Sequence, residues 1–341
     1  MARVTIKDIA ERAGMSISAV SQALRQSGTV GKATSERIRK LATEMGYTPN
    51  ALLSSLAARH FRNDDESNRV PMALILPPDL PKVDYETNIG DTIQYANKLG
   101  YRVHVWHLDK ITHWGQLART LYNRGVVGVV IFPRIHPIPP LGEEWNRFAL
   151  VMVSNNPAFR HFHPVYVDHH DLVYQAWSEV KALGYKRIGW AIMRHDPEVH
   201  DDRVRRGAAN ECVESTPIRD RIPVLWDAEI QEEQAVNDWY KRHKPEVIIG
   251  FNVLQAWNLI KNGVRIPEDV AFANLHNFIK RDIINGLTFA GLTDMDEHIL
   301  PYAIDHMDQL IRHRTFGFNS QPRKVLLSAT WEHGGSCPAR G

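Results

Sequence analysis

Ten lysines and arginines stand against four acids in residues 1–62, and cationic side chains at that density in one short segment suit a phosphate backbone. The rest of the chain holds 31 basic and 35 acidic residues, so the formal net charge of +2 hides a basic end and a slightly acidic remainder. Charge alone leaves a solvated basic face equally open. Imidazole is the second concentration: the chain has 17 histidines, with His161, His163, His169 and His170 close in sequence. His161 and His163 sit in a Pro-containing stretch read as a loop, without the fixed spacing and further ligands that a metal site needs, so no metal is expected. Cys212 and Cys337 are far apart and form no C-x-x-C, which reads as two idle thiols. Ser336, in GGSC at 334–337, belongs to a turn. With no G-x-S-x-G, H-E-x-x-H, P-loop or dinucleotide-binding glycine turn, neither catalysis nor a cofactor is expected.

These groups need elements to position them. In the first fifty residues three short helices are expected: one capped by Thr5 and ended by Gly14, one capped by Ser16, and one over 33–45 with Ile38, Leu41 and Ala42 inward. Residues 51–59 can form one more helix, too short to be stable alone, and the polar stretch 62–68 reads as a linker. From Val70 the pattern changes to apolar strands, at 72–76, 102–108, 126–132, 149–154, 187–192, 247–251 and 270–275, alternating with amphipathic helices. That alternation is the signature of a parallel α/β sheet. YANKLGYRV at 95–103 and EVKALGYKRI at 179–188 echo each other as helix end, glycine cap and strand, suggesting two similar lobes. Ligands of such folds bind beyond the carboxyl ends of strands. Tyr85 after the first strand, Arg134 after the third, Asn155 after the fourth, Asp168 at the start of the second lobe, and Asn252 and His276 after later strands are therefore candidate ligand contacts.

The stretch VTIKDIAERAGMSISAVSQAL at 4–24 gives a helix, a tight turn and a second helix with serine at its start, the geometry that lays a recognition helix in the major groove. Together with TSERIRKLA at 34–42 and MGYTPN at 45–50 it strongly resembles the lac repressor family. That resemblance implies base-edge contacts from Ile17, Ser18 and Gln22. Glutamine can pair bidentately with adenine, and isoleucine can meet a thymine methyl. It implies phosphate-side positions at Thr5, Ser16, Ser21, Thr29 and Thr34, with Asn50 closing the matched stretch. An arginine is common in the family where Gln22 stands, so no known operator sequence carries over. Residues 51–59 resemble the family's hinge helix, with Leu56 matching the leucine wedged into the minor groove and Leu53 standing where a small residue is usual.

The likeness continues more loosely through GVVGVVIF at 125–132, YVD at 166–168, ALGYKRIG at 182–189 and GVRIPEDV at 263–270. It implies an all-α helix-turn-helix head at 1–50, a hinge helix and linker at 51–69, and at 70–341 an α/β two-lobed effector domain. That domain would be periplasmic-binding-protein-like, with Rossmann-like parallel sheets and a chain that crosses three times between lobes. Two departures fall in the pocket. His276-Asn277 stands where many sugar-sensing members have Asp, and in DRVRRG at 202–207 the usual arginine is displaced, leaving Arg203, Arg205 and Arg206 as candidates. An acidic sugar or other polar metabolite thus stands open beside a hexose. The implied protein is a cytoplasmic homodimeric regulator, a repressor, binding a palindromic double-stranded DNA operator under control of a small polar effector such as a sugar or sugar derivative, with no membrane contact expected. A solute-binding transport component would share the sensor fold, but would be expected to carry a signal peptide and no basic head.

Overall fold

The computed structural model describes residues 6–25, 31–45, 69–78, 82–133, 136–227, 233–276, 283–293 and 299–340. The chain divides into two compact units, Met1–Asp64 and Asp65–Gly341. Thr5, Thr29, Asn50, Leu53, Leu56 and Arg134, with the expected hinge helix and linker up to residue 68, lie outside the described residues.

The smaller unit contains α1 (Ile6–Ala13), α2 (Ile17–Arg25) and α3 (Lys32–Glu44). Ile9 and Ala10, Val20 and Ala23, and Ile38 and Ala42 supply one buried pair from each helix, with Met15, Leu24 and Leu41 packed against them. The turn between α1 and α2 is made by Gly14 at φ +64°, a left-handed backbone that strains a residue with a Cβ. Met15 then donates its backbone N–H to the Ala10 carbonyl at 3.0 Å, and Ser16 Oγ accepts the Ala19 N–H at 3.2 Å. Ser16 thereby satisfies one of the free donors at the start of α2.

In the larger unit β1 (Val70–Leu76), α4 (Lys82–Lys98), β2 (Tyr101–His107), α5 (Trp114–Asn123), β3 (Gly128–Ile131), β4 (Ala149–Met152) and β5 (His163–Val167) build most of the first lobe. The chain passes to the second lobe with α6 (His169–Ala182), β6 (Ile188–Met193), α7 (His200–Glu214), β7 (Leu225–Asp227), α8 (Glu233–His243) and β8 (Val247–Gly250). It continues through α9 (Val253–Lys261), β9 (Ala271–Asn274), the hairpin β10 (Ile283–Ile284) and β11 (Leu287–Thr288), and β12 (Ala290–Thr293). It returns to the first lobe for α10 (Ile299–Arg312) and β13 (Val325–Leu327), then ends its last strand, β14 (Thr330–Glu332), in the second. The two sheets have the orders β13-β5-β4-β3-β1-β2 and β14-β12-β9-β8-β6-β7. All pairings are parallel except that of β12 with β14. The three lobe-to-lobe passages expected from the family likeness are present, after β5, after β12 and after β13.

Both faces of each sheet are covered, as a parallel sheet requires. In the first lobe Met72, Leu74 and Leu76 face one layer, while Ala73 and Ile75 face the other with Leu117, Leu121, Trp145 and Phe148. In the second lobe Ile248 and Phe272 meet Val236 and Leu259 from α8 and α9. Returning helix α10 seats Ala303, Ile304 and Met307 in the first lobe, and a Cβ on Gly128 of β3 would stand 2.4 Å from Met307 Sδ. Tyr95 and Tyr101 donate their hydroxyls to Asp305 at 2.6 Å and Asp308 at 2.8 Å, fixing the outer side of the same helix.

The seven expected strands are all found, with ends shifted by at most two residues; β5, β7 and β10 to β14 are additional. His163 opens β5 rather than lying in a loop. Its Pro164 stands opposite Met152 at the start of the strand, where a missing donor is least costly. Tyr85 lies within α4, well past the end of β1, and its side chain is outside the described part. Among the described residues no helix is long and apolar enough to cross a membrane.

His163 and His306 meet under α10, edge to face at 5.6 Å, and are 1% and 5% exposed. Burial, with His306 and Arg323 adding positive charge nearby, pushes His163 down from 6.5 to about 4, and burial also lowers His306. A depressed folded-state value on a base means stability that is complete above pH 6.5 and lost as pH falls from 6.5 toward 4, by roughly 3 kcal/mol for His163 alone. Urea unfolding of the full chain between pH 7 and pH 5 is expected to show a falling midpoint, and His163→Leu to flatten that fall.

Candidate functional site

Two places carry candidate chemistry, and each lies within one unit. In the head, Ile17 opens α2 and is 53% exposed, an apolar side chain left in water beside the serine cap. Ser18, Ser21 and Gln22 lie on α2 and Thr34 on α3; the side chains of 18, 21 and 22 are outside the described part. Lys7, Arg12, Arg37 and Lys40 are exposed on α1 and α3, as are Asp8, Glu11, Glu36 and Glu44; the other basic side chains of the segment lie outside the described part.

The second place is the wall of the second lobe beyond the carboxyl ends of β6, β8 and β9, where His195, Phe251 and His276 follow the strands. It is organised by α7. Asp202, Arg205, Ala208, Ala209 and Cys212 recur at helical spacing as the buried side of that helix. This side therefore presents an ion pair at its first turn, with Arg205 Nη2 donating to Asp202 Oδ1 at 2.6 Å. Asp202 is fully buried and Arg205 is 2% exposed. Asp202 also accepts the His195 ring Nδ1 at 2.7 Å and the backbone N–H groups of His195 and Val199 at 2.9 and 3.1 Å. Burial alone would raise this carboxyl, but the His195 and Val199 hydrogen bonds and the Arg205 charge hold it at about 2.

Arg205 lies over Phe251 at 5.0 Å, and its Nη1 reaches His169 Nδ1 at 3.3 Å. His169 Nε2 in turn meets Asp201 at 3.3 Å. Burial works against the Asp201 carboxylate too, but the His169 hydrogen bond and the nearby Arg205 keep it below the ordinary value. His276 packs on Phe251 at 4.7 Å and near His169 at 6.2 Å. Its ring is lowered well below 6.5, by burial first and then by Arg205 and the neighbouring imidazoles. Three buried polar atoms of this cluster, Arg205 Nε, Asp201 Oδ1 and His276 Nε2, have no hydrogen-bond partner.

Of the sequence candidates, Arg205 and His276 are brought together here. Arg203 is not: it lies on the outer side of α7, 66% exposed, and bonds Glu198 at 2.9 Å. Arg206 covers Trp226 at 5.3 Å. Asp168 and Asn252 stand at the lobe's cleft side but use their side chains as helix caps. Asp168 accepts from His170 and Asp171 at the start of α6, and Asn252 accepts from Leu254 at the start of α9. Asn155 is half-buried past β4. Sequence reasoning missed His169, His195, Asp201, Asp202 and Phe251. The 202-205-209-212 spacing on α7 was the available signal for Asp202 and Arg205, and position past a strand end was the signal for His195 and Phe251. Among the described residues no group of three or more His, Cys, Asp or Glu could hold a metal ion.

A separate groove of about 690 Å³ lies at the other end of the same strands, lined by Tyr185, Tyr240, Lys244, Glu246, Asp269 and Arg340. Glu246 there bonds the Lys186 and Arg187 backbone at 2.8 and 3.0 Å and pairs with Arg340, so its main charges are engaged with the fold.

Residues 5–50 match the bacterial regulatory proteins of the lacI family. The HTH-type transcriptional regulator DegA of Bacillus subtilis (strain 168) is 22% identical over 292 residues, covering 81% of this chain and 82% of that protein. Among solved structures, the lac repressor dimer bound to operator and the anti-inducer ONPF superposes with a TM-score of 0.59 at 16% identity, over 99% of this chain and 100% of that one. A transcriptional regulator CelR-cellobiose complex gives 0.58 at 17%, over 98% and 100%. The larger unit therefore has the two-lobed periplasmic-binding-protein-like fold.

The two arginines of α7 should behave differently. Arg205→Leu strands a buried carboxylate and is expected to cost about 3–5 kcal/mol, whereas Arg203→Ala should stay within about 0.5 kcal/mol. Denaturant unfolding of both variants checks the assignment, and equal effects would count against it.

Proposed function

We propose that the chain is a transcriptional regulator of the lacI family that binds a palindromic DNA operator as a homodimer and represses transcription under control of a small polar effector held between its lobes. The observation that carries the regulatory half is the cluster on the second-lobe wall. Three buried polar atoms without partners are costly in a folded protein unless something completes them, and they stand together at the strand ends where such folds take ligands. The DNA half rests on the helix-turn-helix with its capped α2 and exposed Ile17 and on the basic excess of its sequence. Ile17, Ser18 and Gln22 would read base edges, while Ser16, Ser21 and Thr34, with Thr5, Thr29 and Asn50, would meet phosphates.

Two exposed apolar side chains support the dimer. Leu254 and Trp257, one turn apart on α9, are 50% and 42% exposed, an arrangement more typical of an interface than of open surface. The lac repressor structure is described as a dimer on its operator, and a dimer of this chain would match a two-fold operator. Effector control is a population shift: a ligand that prefers one arrangement of the lobes biases the spacing of the two heads by its differential affinity. Residues 51–59, with Leu53 and Leu56, would transmit that bias as the hinge.

Selection of bound sequences from a random double-stranded DNA pool by the full-length protein tests this reading. A palindrome is expected, and enrichment of no motif, with and without added metabolites, would contradict it. Gln22→Ala should relax one position in each half-site, at a cost of about 1–3 kcal/mol in discrimination. Trp257→Glu should shift sedimentation toward the monomer and weaken the palindrome more than a single half-site.

A further inference from the structure

The strands of the first lobe begin at one edge of their sheet, and the turns leading into them carry a row of cations. Arg69 stands directly before β1, Lys98 ends α4 ahead of β2, Arg124 precedes β3, Arg147 precedes β4, and Arg323 and Lys324 precede β13. All are exposed except Arg69, which is half-buried. In the segments 98–100, 124–127, 142–148, 160–162 and 313–324 that lead into these strands, the carboxylates are Glu143 and Glu144. Across the order β13-β5-β4-β3-β1-β2 the row runs about 24 Å at the usual spacing of paired strands, the length of about seven base pairs of duplex DNA. Residues 63–341 hold 31 basic and 35 acidic side chains, so this edge is a basic stripe on an otherwise slightly acidic part of the chain.

Basic residues are common where helices end, because they meet the negative end of the dipole, and the second lobe shows what that effect gives by itself. There Arg265 pairs with Asp269, Arg340 with Glu246 and Arg219 with Asp220. Arg187 bonds the carbonyls of Arg219 and His243 at 3.2 and 2.8 Å, and Lys241 and Lys244 share their groove with Glu246, Glu268 and Asp269. In the first lobe none of the six cations has a carboxylate partner among the described residues. Two are laid on aromatic rings instead, Arg124 over Trp106 at 5.6 Å and Arg147 over Tyr122 at 4.5 Å. Stacking holds a guanidinium in place and leaves its N–H donors free. His104, on the same face of β2 as Trp106, is lowered by burial and then by Arg102 and Arg124, so the charges that act on it are positive. Ordered, unpaired guanidiniums suit phosphate oxygens.

This edge is also where the chain arrives from the head, since β1 opens at Val70 and only the 23 residues 46–68 separate Arg69 from Met45. DNA held by the head is thereby tethered to the edge at an effective concentration on the order of millimolar, at which individually weak contacts count. Resting on the reading that the head binds DNA, we propose that the strand-start edge of the first lobe is a second, sequence-independent DNA contact, in which Arg124, Arg147, Arg323 and Lys324 neutralise phosphates of the duplex. Such contacts add affinity and salt dependence without reading bases.

The test follows binding of the full-length protein to a random-sequence duplex, and to the duplex selected from the random pool, over a range of salt concentrations. One variant carries Arg124→Gln, Arg147→Gln, Arg323→Gln and Lys324→Gln; Arg69 is kept because Asp64, Asp65 and Glu66 closely precede it. A control carries Lys186→Gln, Lys241→Gln, Arg242→Gln and Lys244→Gln on the second lobe, removing the same charge. Each lost phosphate contact lowers the slope of log K against log salt by about 1 and weakens all sequences alike. The first variant is expected to lose about 2 to 4 from the slope on both duplexes, and the control less than about 1. Arg124→Lys with Arg147→Lys and Arg323→Lys, which keeps the charge, should hold the wild-type slope; a slope as low as that of the glutamine variant would overturn the inference. Equal slopes for the two glutamine variants would also overturn it while leaving DNA binding by the head standing. Wild-type protein that binds neither duplex would overturn both.

Discussion

Asp202 carries a full negative charge with no exposed surface, and most of what is distinctive about the second lobe follows from keeping it there. A lone buried carboxylate would be several kcal/mol unfavourable. Four groups offset that cost: the Arg205 guanidinium, the His195 ring, and the backbone N–H groups of His195 and Val199. Meeting those demands fixes the start of α7, the loop that follows β6 and the rotamer of Arg205. Arg205, once fixed, sets the orientation of His169 and lies over Phe251. Cleft chemistry is thus largely a consequence of solvating one carboxylate without water.

The fold determines where that network can sit. Strands β6, β8 and β9 run parallel, so the residues that follow them emerge at one edge; α7 begins there because it follows β6, while α6 begins where the chain crosses from β5 of the first lobe. The other end of those strands is occupied differently: Tyr185 donates to the Pro338 carbonyl at 2.7 Å, and Arg340 pairs with Glu246. Charges at that end close the C-terminal segment onto the lobe. Those at the cleft end leave three buried atoms open.

Much of the architecture was legible in the sequence because it rests on local periodicity. The capped turn at Gly14 and Ser16, the inward Ile38 and Ala42 of the third head helix and the seven strands with central apolar runs all follow from short-range pattern. The strands that escaped notice lack it. β5 begins with His163 and Pro164, and β12 is the short Ala-Gly-Leu-Thr stretch. β13 and β14 lie at sheet edges, where half-exposed residues weaken the alternation. The pocket was less legible, because position past a strand end does not say how a side chain is used. Asp168 and Asn252 satisfy helix starts, and Arg203 faces outward. Arg205 faces inward because the 202-205-209-212 spacing turns it there, which the DRVRRG stretch alone does not register.

The central claim is that a small molecule completes the Asp201, Arg205 and His276 wall. Hydrogen exchange of the full-length protein, with and without a low-molecular-weight cell extract, tests it most directly. The account predicts added protection of backbone amides at 194–205, 251–255 and 275–276, the segments that frame the wall. Protection confined to 240–246, 267–270 and 338–340, around the groove at the opposite end of the strands, would contradict it.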